Sequence, residues 1–525
     1  MGKKKTGGAT ANYALNRASS KKVAWSIANL PTGLTSLAAL IAGALFPLAL
    51  APYDCWPIAF LSPALLYLLL NQRSPLQAFV IGEAYGFGLW TVGAFWLFTS
   101  IHQYGDTNTP LALLMIGFVG LVMGLFNAFG AWFYRRLLPE SPLTFAPVWI
   151  VIEWIKTWLF TGFPWLFVGY ALVNHGLDGF APVGGIFAVS GAVVLIGCAI
   201  AEILRRRLFW LLPIIIVVGA GIGLNQVRWT TAKDAPPLSV SLIQGNIPQD
   251  LKWLTEYQEK TLQIYANLSE KEWGRDLVVW PEASIPMFQV DAKEFIAGID
   301  QTAREHRSVW VTGIPYLDLN HRDAAGNPPY YNAIEAGGYQ GFGLYRKQRL
   351  VPFGEYIPLA GALNWVLPAI SRDQDMAGFS AGPARQAPLI VKDHALAAAI
   401  CYEVAYPNLT RLNAHESDFL VTISNDAWFG SSDGPHQHLQ MVQMRAKETG
   451  RWFIRATNTG ITAFINDQGE IVKQAPQFQT TVLRGNLPAM TGDTPYMRWG
   501  DLPVLLLSGV LMLLGLWVRL RYQRN

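Results

Sequence analysis

Charged side chains are scarce in this sequence, and their scarcity is uneven. They make up 14% of its 525 residues, whereas an average soluble protein has roughly 25%. Residues 31–134 hold only four formal charges, while residues 246–325 are charged like an ordinary enzyme. This pattern excludes a protein that is soluble throughout, and it indicates one part in a lipid bilayer and one part in water.

Cysteines and long basic tracts are scarce as well. The three cysteines are Cys55, Cys198 and Cys401, and Cys401 has no partner in its own part of the chain, whereas framework cysteines come in pairs. Cys401 is therefore either an inert core residue or a working thiol. The net charge is only +4, and no long basic tract follows the lysines at positions 3–5, so nucleic acid is not expected as a partner.

Long apolar stretches predict a polytopic α-helical membrane domain. A helix rises 1.5 Å per residue, so about 20 residues cross the hydrocarbon core of a bilayer. The second predicted span is short, and the fifth carries Glu153 and Lys156. The predicted spans, about eight in number, are 34–51, 56–71, 77–99, 110–134, 143–160, 180–202, 208–225 and 502–518.

Lysine and arginine are distributed asymmetrically around these spans. They lie before the first span and after the second, fourth, sixth and eighth, whereas the loops at 51–55, 100–109 and 161–179 contain none. Because basic loops stay on the cytoplasmic side, we expect both chain ends to be cytoplasmic. The predicted division is a tail at 1–33, a membrane domain at 34–225, an outer domain at 226–501, a last span at 502–518 and a tail at 519–525.

From Leu238 onward, short β-rich runs alternate with turns and helical stretches. This mixture is typical of an α/β sandwich in which helices cover stacked sheets. Polar residues that directly follow apolar strands are candidate functional groups, because sheets of this kind present their ligands at strand ends.

Three strand ends carry residues suited to covalent catalysis. Glu282 follows an apolar strand and a proline, so its carboxylate suits a general base in a region of low dielectric. Lys347 precedes a Pro-Phe-Gly turn that ends at Glu355, and it can supply a fixed positive charge to an oxyanion. Cys401 closes an apolar strand, which exposes a nucleophile beside the backbone N–H of Tyr402. Each residue alone is more often structural, but the three together favour a catalytic site.

The motifs around these residues resemble those of a known family. The segments WPEASIP, YRKQRLVPFGEYIP, AAICYEVAYP and ISNDAWFG are similar to the Glu-Lys-Cys motifs of the nitrilase superfamily. Together with QGNIPQDLKW and TGFPWLFVGY, they resemble the apolipoprotein N-acyltransferase family over nearly the whole chain. The resemblance implies a nitrilase-like αββα sandwich between the seventh and eighth spans.

The resemblance also implies roles for individual residues. Glu282 would be the base, Lys347 the oxyanion stabiliser and Cys401 the nucleophile that accepts the acyl group. No metal or other cofactor is implied. The expected supporting residues are Glu355, Tyr402 and Glu403, and the expected substrate-binding residues are Trp253, Asn332 and Trp165.

The implied reaction is a ping-pong acyl transfer at the bacterial inner membrane, with the catalytic domain of a monomer in the periplasm. An acyl chain would pass from the sn-1 position of a phospholipid, such as phosphatidylethanolamine, to Cys401. It would then pass to the N-terminal amine of the diacylglyceryl-cysteine of an apolipoprotein. One alternative is a membrane-tethered nitrilase-type amidase, which uses water as the acceptor. The other is a transporter with an outer binding domain, in which Cys401 has no role.

Three further features leave alternatives open. Glu153 and Lys156 are three residues apart on one predicted helix, so they either neutralise each other or act directly. His436 and His438 could suggest a metal site, but no third ligand has suitable spacing. Aromatic side chains in the loop at 161–179 either anchor the protein at the membrane interface or contact substrate, and they are Phe163, Trp165, Phe167 and Tyr170.

Overall fold

The computed structural model describes residues 30–322, 326–357 and 378–524. These residues form a helical part and an α/β part. The helical part forms from the apolar segments of the sequence, and its helices therefore contain few charged residues. Its helices are α1 (Thr32–Leu45), α2 (Pro57–Leu69), α3 (Pro75–Gly93), α4 (Thr109–Leu137), α5 (Pro142–Ile155), α6 (Ala181–Leu204), α7 (Leu211–Asn225) and, at the end of the chain, α14 (Leu502–Arg524).

Each predicted span overlaps one of these helices, but the bounds and lengths of the helices differ from the prediction. By length and composition, five helical segments within the described ranges could cross a membrane, and α2 and α5 are shorter apolar helices. The fifth span, predicted at 143–160, ends as a helix at Ile155. Its 14 residues reach only about 21 Å, and Phe160, Thr161 and Gly162 then take positive φ angles. A count of eight spans therefore stays a prediction.

The α/β part is built on a continuous sheet of twelve strands within the described residues, in the order β12-β11-β10-β9-β8-β7-β6-β5-β4-β3-β2-β13. Strands β2, β3 and β4 are parallel to one another, as are β8, β9 and β10. The strands of this sheet are β2 (Leu238–Gln244), β3 (Leu277–Val279), β4 (Val309–Leu317), β5 (Tyr330–Gly338), β6 (Gly341–Arg346), β7 (Leu389–Val391), β8 (His394–Ile400), β9 (Phe419–Ser424), β10 (Phe453–Thr457), β11 (Ala463–Ile465), β12 (Ile471–Gln474) and β13 (Thr481–Leu487). A small separate ladder pairs β1 (Thr231–Ala232) with β14 (Met490–Thr491).

The two halves of the sheet face each other across one core. Alternate side chains of both halves meet there, such as Leu242 and Val279 from one half and Ile400 and Val421 from the other. On the outer faces, helices cover each half, which confirms the predicted four-layer αββα sandwich. The remaining helices are α8 (Gln249–Lys252), α9 (Thr255–Ser269) and α10 (Lys293–Glu305) beside the first half, and α11 (Pro407–Asn413), α12 (Gly434–Thr449) and α13 (Pro495–Trp499) beside the second.

Helix α12 joins the two parts of the molecule. Lys447 forms a buried ion pair of 2.7 Å with Asp178 of the helical part. Glu448 Oε1 accepts a hydrogen bond of 2.7 Å from the backbone N–H of Ile186, which is freed where α6 is interrupted. The interruption lies at Gly185, whose φ is +65° and whose Cα hydrogen faces the Tyr496 ring, so that a Cβ there would lie 2.5 Å from it. The α/β part is thus fixed directly to the helical part.

Candidate active site

The ends of several strands meet at one edge of the sandwich. Glu282 follows β3, Lys347 follows β6, Cys401 follows β8 and Asn425 follows β9. Strand polarity explains this convergence, because parallel strands present the residues that follow them at the same edge. The three residues predicted as a catalytic set therefore share one site.

Glu282 is nearly buried, and both of its carboxylate oxygens have partners. Oε1 accepts a hydrogen bond of 2.8 Å from Asn332 Nδ2, and Oε2 accepts one of 2.8 Å from the backbone N–H of Asn425. Lys347 Nζ lies 3.6 Å from Oε1. These contacts fix the carboxylate in one orientation, as a general base requires.

Lys347 is buried between two carboxylates. Its Nζ lies 2.8 Å from Glu355 Oε1 and 3.6 Å from Glu282 Oε1. Burial alone would lower the pKa of Lys347, but the two carboxylates and the nearby Cys401 together raise it above its ordinary value. Lys347 is therefore a permanent, fixed ammonium group beside the thiol, which suits stabilisation of an oxyanion.

Asn332 connects the two carboxylates. Its Nδ2 donates to Glu282 Oε1 at 2.8 Å and to Glu355 Oε1 at 2.9 Å, and Glu355 Oε2 accepts a further bond from the backbone N–H of Val351 at 2.8 Å. Its amide nitrogen thus orients Glu282 and Glu355 relative to each other. The expected role of Asn332 in substrate binding stays a prediction, as does the supporting role of Glu355.

Cys401 occupies a strained position at the end of β8. Its φ is +50°, a conformation that non-glycine residues adopt rarely and usually at functional sites. Burial raises the pKa of the Cys401 thiol well above its ordinary value, and Glu282 raises it further while Lys347 opposes this. The resting residue is thus a protonated thiol that needs a base to become a nucleophile.

Glu403 connects two backbone segments of the site through hydrogen bonds. It is fully buried, and its carboxylate accepts hydrogen bonds from the backbone N–H groups of Ile400 (2.7 Å), Gln348 (2.6 Å) and Arg349 (3.1 Å). Tyr345 donates its hydroxyl to the same group at 3.1 Å. Burial raises the pKa of Glu403 to about 7, although the N–H donors act against it. Glu403 thus joins the end of β8 to the segment just after Lys347, and its supporting role, like that of Tyr402, stays a prediction.

Tyr402 and Trp165 form an aromatic contact between the two parts. Their rings stack with centroids 6.4 Å apart and an interplanar angle of 17°. Trp165 is only 1% exposed, and its Nε1 donates to Gln437 Oε1 at 2.7 Å. Trp253 directly follows α8 and is 41% exposed. The expected substrate roles of both tryptophans stay predictions.

The aromatic loop does not anchor the protein in the way one alternative proposed. An interfacial anchor must be exposed to lipid, but three of these side chains are at most 2% exposed. They pack within the protein because the loop lies between the helices and the turn Cys401–Ala405. The three are Trp165, Phe167 and Tyr170.

Glu153 and Lys156 have separate partners. Glu153 Oε1 accepts hydrogen bonds of 2.9 Å from Trp149 Nε1 and from the backbone N–H of Val168. Lys156 Nζ lies 5.4 Å from the centroid of the Trp90 ring and 5.3 Å from that of Phe167. These contacts hold the two charged groups in place, and a direct role for either stays a prediction.

Several site residues were missed by the sequence interpretation. Lys252 is buried, and its Nζ donates to the backbone oxygen of Glu282 at 2.9 Å and to Asn425 Oδ1 at 3.1 Å. Burial lowers the pKa of Lys252 to about 8, against the opposing effect of Glu282. His438 and Asp426 lie behind Cys401. The sequence shows Lys252, Asn425 and Asp426 within the segments QDLKW and ISNDAWFG. Their positions along the chain, however, do not reveal that they lie close to Glu282 and Cys401 in the fold.

His436 and His438 both lie on α12. Among the residues that the structure describes, no group of three or more His, Cys, Asp or Glu side chains is placed to hold a metal ion. His438 instead contacts protein groups through both ring nitrogens.

Two family models match separate parts of the chain. Residues 42–199 match the apolipoprotein N-acyltransferase N-terminal domain, and residues 239–496 match the carbon-nitrogen hydrolase domain. Yeast Nit3, a member of the nitrilase superfamily, has a solved structure that is 16% identical, with a TM-score of 0.37, over 49% of this chain and 93% of its own.

Two relatives match at much higher identity. The apolipoprotein N-acyltransferase of Azotobacter vinelandii is 44% identical over 499 residues, which cover 93% of this chain and 95% of the relative. That of Pseudomonas aeruginosa is 43% identical over 495 residues, which cover 91% of this chain and 95% of the relative. The chain belongs to the apolipoprotein N-acyltransferase family.

Proposed function

We propose that this protein transfers a fatty acyl chain from the sn-1 position of a phospholipid to the N-terminal amine of diacylglyceryl apolipoproteins, through a thioester on Cys401. One observation carries the proposal: a buried carboxylate, a fixed ammonium and a thiol meet where the helical part contacts the turn Cys401–Ala405. Tyr402 and Tyr406 both donate hydroxyl hydrogen bonds to the backbone oxygen of Gly162, at 3.2 and 3.1 Å.

The first half-reaction forms the acyl-enzyme. Glu282 takes the proton of the Cys401 thiol, and the thiolate attacks the sn-1 ester carbonyl. Lys347 and the backbone N–H of Tyr402 stabilise the oxyanion of the tetrahedral intermediate. When the intermediate collapses, the ester C–O bond breaks and Glu282 returns its proton to the departing lysophospholipid oxygen. The acyl chain remains on sulfur as a thioester.

The second half-reaction regenerates the thiol. The free amine of the apolipoprotein attacks the thioester carbonyl, and the same ammonium and N–H stabilise the new oxyanion. Glu282 accepts a proton from the amine and passes it to the departing Cys401 sulfur. A reactive thioester is exchanged for a stable amide, so the reaction needs no metal, nucleotide or other cofactor.

Exposed apolar side chains beside the site support access for lipid chains. Phe160, in the loop after α5, is 83% exposed, and Phe353, in the turn after Lys347, is 70% exposed. A hydrogen bond of 2.7 Å between the Thr161 and Tyr356 hydroxyls joins these two segments. Exposed apolar patches of this kind favour contact with a membrane or a lipid ligand.

The charge asymmetry supports an orientation for this reaction. Basic residues after the even-numbered predicted spans favour an orientation with both chain ends in the cytoplasm and the catalytic domain in the periplasm. Both substrates are then lipids of the outer leaflet of the inner membrane. We propose that the enzyme acts there as a monomer.

Intact-mass measurement tests the proposal. Purified protein mixed with phospholipid alone should gain one acyl mass and release lysophospholipid, and a synthetic diacylglyceryl peptide with a free amine should then remove that mass as an N-acyl peptide. Cys401→Ser should fold but form no thioester, while Cys55→Ala and Cys198→Ala should behave as wild type.

Two outcomes would contradict the proposal. If acyl mass appeared on Cys401→Ala, which has no nucleophilic atom at this position, another residue would be the nucleophile. If the acyl mass formed but was released only as free fatty acid in the presence of the peptide, the acceptor would be water and the protein would be a membrane-tethered hydrolase.

A further inference from the structure

His438 lies directly behind the nucleophile. It is fully buried on α12, and its Nε2 lies 3.0 Å from the carbonyl oxygen of Cys401. A carbonyl oxygen can only accept a hydrogen bond, so the ring must carry a hydrogen on Nε2 and donate it. The imidazole therefore binds the backbone of the residue that carries the acyl group.

The other side of the ring is held by a buried ion pair. His438 Nδ1 lies 3.1 Å from Asp426 Oδ1 and 3.2 Å from Arg455 Nη2, and Arg455 Nη2 donates to Asp426 Oδ2 at 2.6 Å. Burial would raise the pKa of Asp426, but Arg455 and His438 hold it below its ordinary value. The Asp426 carboxylate is thus charged. The Trp165 ring also packs near the imidazole, with the two ring centroids 5.9 Å apart.

The hydrogen bond acts on the peptide group that supplies the oxyanion donor. The carbonyl of Cys401 and the N–H of Tyr402 belong to the same planar peptide unit. The N–H of Tyr402 lies at the start of the helical turn Cys401–Ala405, where the first N–H groups have no acceptor within the turn. A donor bound to the carbonyl oxygen fixes the peptide plane and polarises it, which strengthens its N–H as a donor. This external support is needed because Cys401 has a φ of +50°.

We propose that His438 is a positioning residue for acyl transfer, which sets the orientation and donor strength of the Tyr402 N–H through its hydrogen bond to the Cys401 carbonyl. The inference builds on the proposed function, because it assigns the Tyr402 N–H to the oxyanion. A purely structural histidine would affect every reaction of Cys401 equally. A positioning residue affects only reactions that pass through an oxyanion.

A matched pair of variants separates these cases. His438→Gln keeps an N–H donor of similar reach, and His438→Met has a similar length without a donor. Each variant is tested with two reagents. A short p-nitrophenyl ester acylates Cys401 through a tetrahedral oxyanion, whereas iodoacetamide alkylates the same sulfur without forming one. His436→Met, on the same helix, is the control.

His438→Met should alkylate at the wild-type rate but acylate about 10 to 100 times more slowly, a smaller loss than the 10² to 10³ typical when a donor is removed outright. His438→Gln should recover most of the acylation rate, and His436→Met should match the wild type with both reagents. The inference is overturned if His438→Met acylates normally, or if acylation and alkylation fall in proportion.

The nitrophenyl ester keeps this test separate from the proposed function. Failure of phospholipid to acylate the wild type would reject the proposed donor, yet the ratio of the two rates with the small reagents would still decide the role of His438. If His438→Met does not fold, comparison of His438→Gln with His438→Asn, whose shorter amide cannot reach the carbonyl, decides it. Equal acylation by these two variants would overturn the inference.

Discussion

Replacement of Glu355 by glutamine removes the closer of the two carboxylates around Lys347 and keeps the shape of the side chain. The two carboxylates lie 2.8 Å and 3.6 Å from Lys347 Nζ. Coulomb's law with an effective dielectric constant of about 20 gives about 6 kcal/mol at the shorter distance, before the cost of removing both charges from water. Loss of one partner from a buried pair typically costs about 3 to 5 kcal/mol, because the other charge loses its compensation.

Two kinetic consequences follow for Glu355→Gln. Lys347 then depends on Glu282 alone, which draws the base toward the ammonium and moves the ammonium from the oxyanion. Formation of the acyl-enzyme should slow by about 10² to 10³, the range observed for loss of one oxyanion donor. In the wild type, both carboxylates raise the pKa of Lys347 against the effect of burial. Without Glu355 this pKa falls, so activity should be lost at a lower alkaline pH.

Single-turnover release of lysophospholipid, measured from mildly acidic to strongly alkaline pH, provides the assay. Glu294→Gln, at an exposed position in the first turn of α10, is the matched control and should keep the wild-type rate and profile. If Glu355→Gln released lysophospholipid with an unchanged alkaline limb, Glu355 would not control the charge on Lys347.

Three further predictions test other parts of the site. Because Glu282 raises the pKa of the Cys401 thiol, Glu282→Gln should shift the pH midpoint of iodoacetamide alkylation downward, and an upward or unchanged midpoint would contradict this electrostatic coupling. The same variant should slow acylation by phospholipid about 10² to 10⁴ times, because the base is lost. Gly162 has a φ of +86°, and a Cβ there would lie 2.4 Å from the backbone oxygen of Thr157, so Gly162→Ala should lower the free energy of unfolding by about 1 to 3 kcal/mol. It should also slow acylation by phospholipid more than acylation by a short ester, whereas equal effects on the two acyl donors would show that this loop does not control access of lipid. A reporter inserted at the exposed turn residue Asp393, between β7 and β8, should behave as periplasmic and one fused after the last residue as cytoplasmic, whereas the reverse pattern would refute the orientation.

Local sequence determined the parts of this protein that depend on neighbouring residues. Apolar composition predicted a helix in each long apolar segment, and the strand ends indicated Glu282, Lys347 and Cys401 as candidates. The fold brings these three residues to one edge of the sandwich, while their catalytic roles stay predictions. Both signals are local, because burial of a helix or strand depends on the residues within it. The resemblance of the motifs to those of the family further predicted the αββα sandwich fold. The end of α5 at Ile155 was missed, because the left-handed turn at Phe160 to Gly162 depends on contacts with the distant residues Tyr402 and Tyr406.

Tertiary structure alone decided how the site residues support one another. Asn332 reaches a carboxylate 50 residues before it and another 23 residues after it. His438 binds the backbone of Cys401 across 37 residues, and Trp165 meets Gln437 across 272. Sequence spacing cannot reveal such contacts, because they form only when strand order and helix packing bring separate segments together. The chemistry of each group is written in the sequence, but its partner, its burial and therefore its charge and orientation are set by the fold.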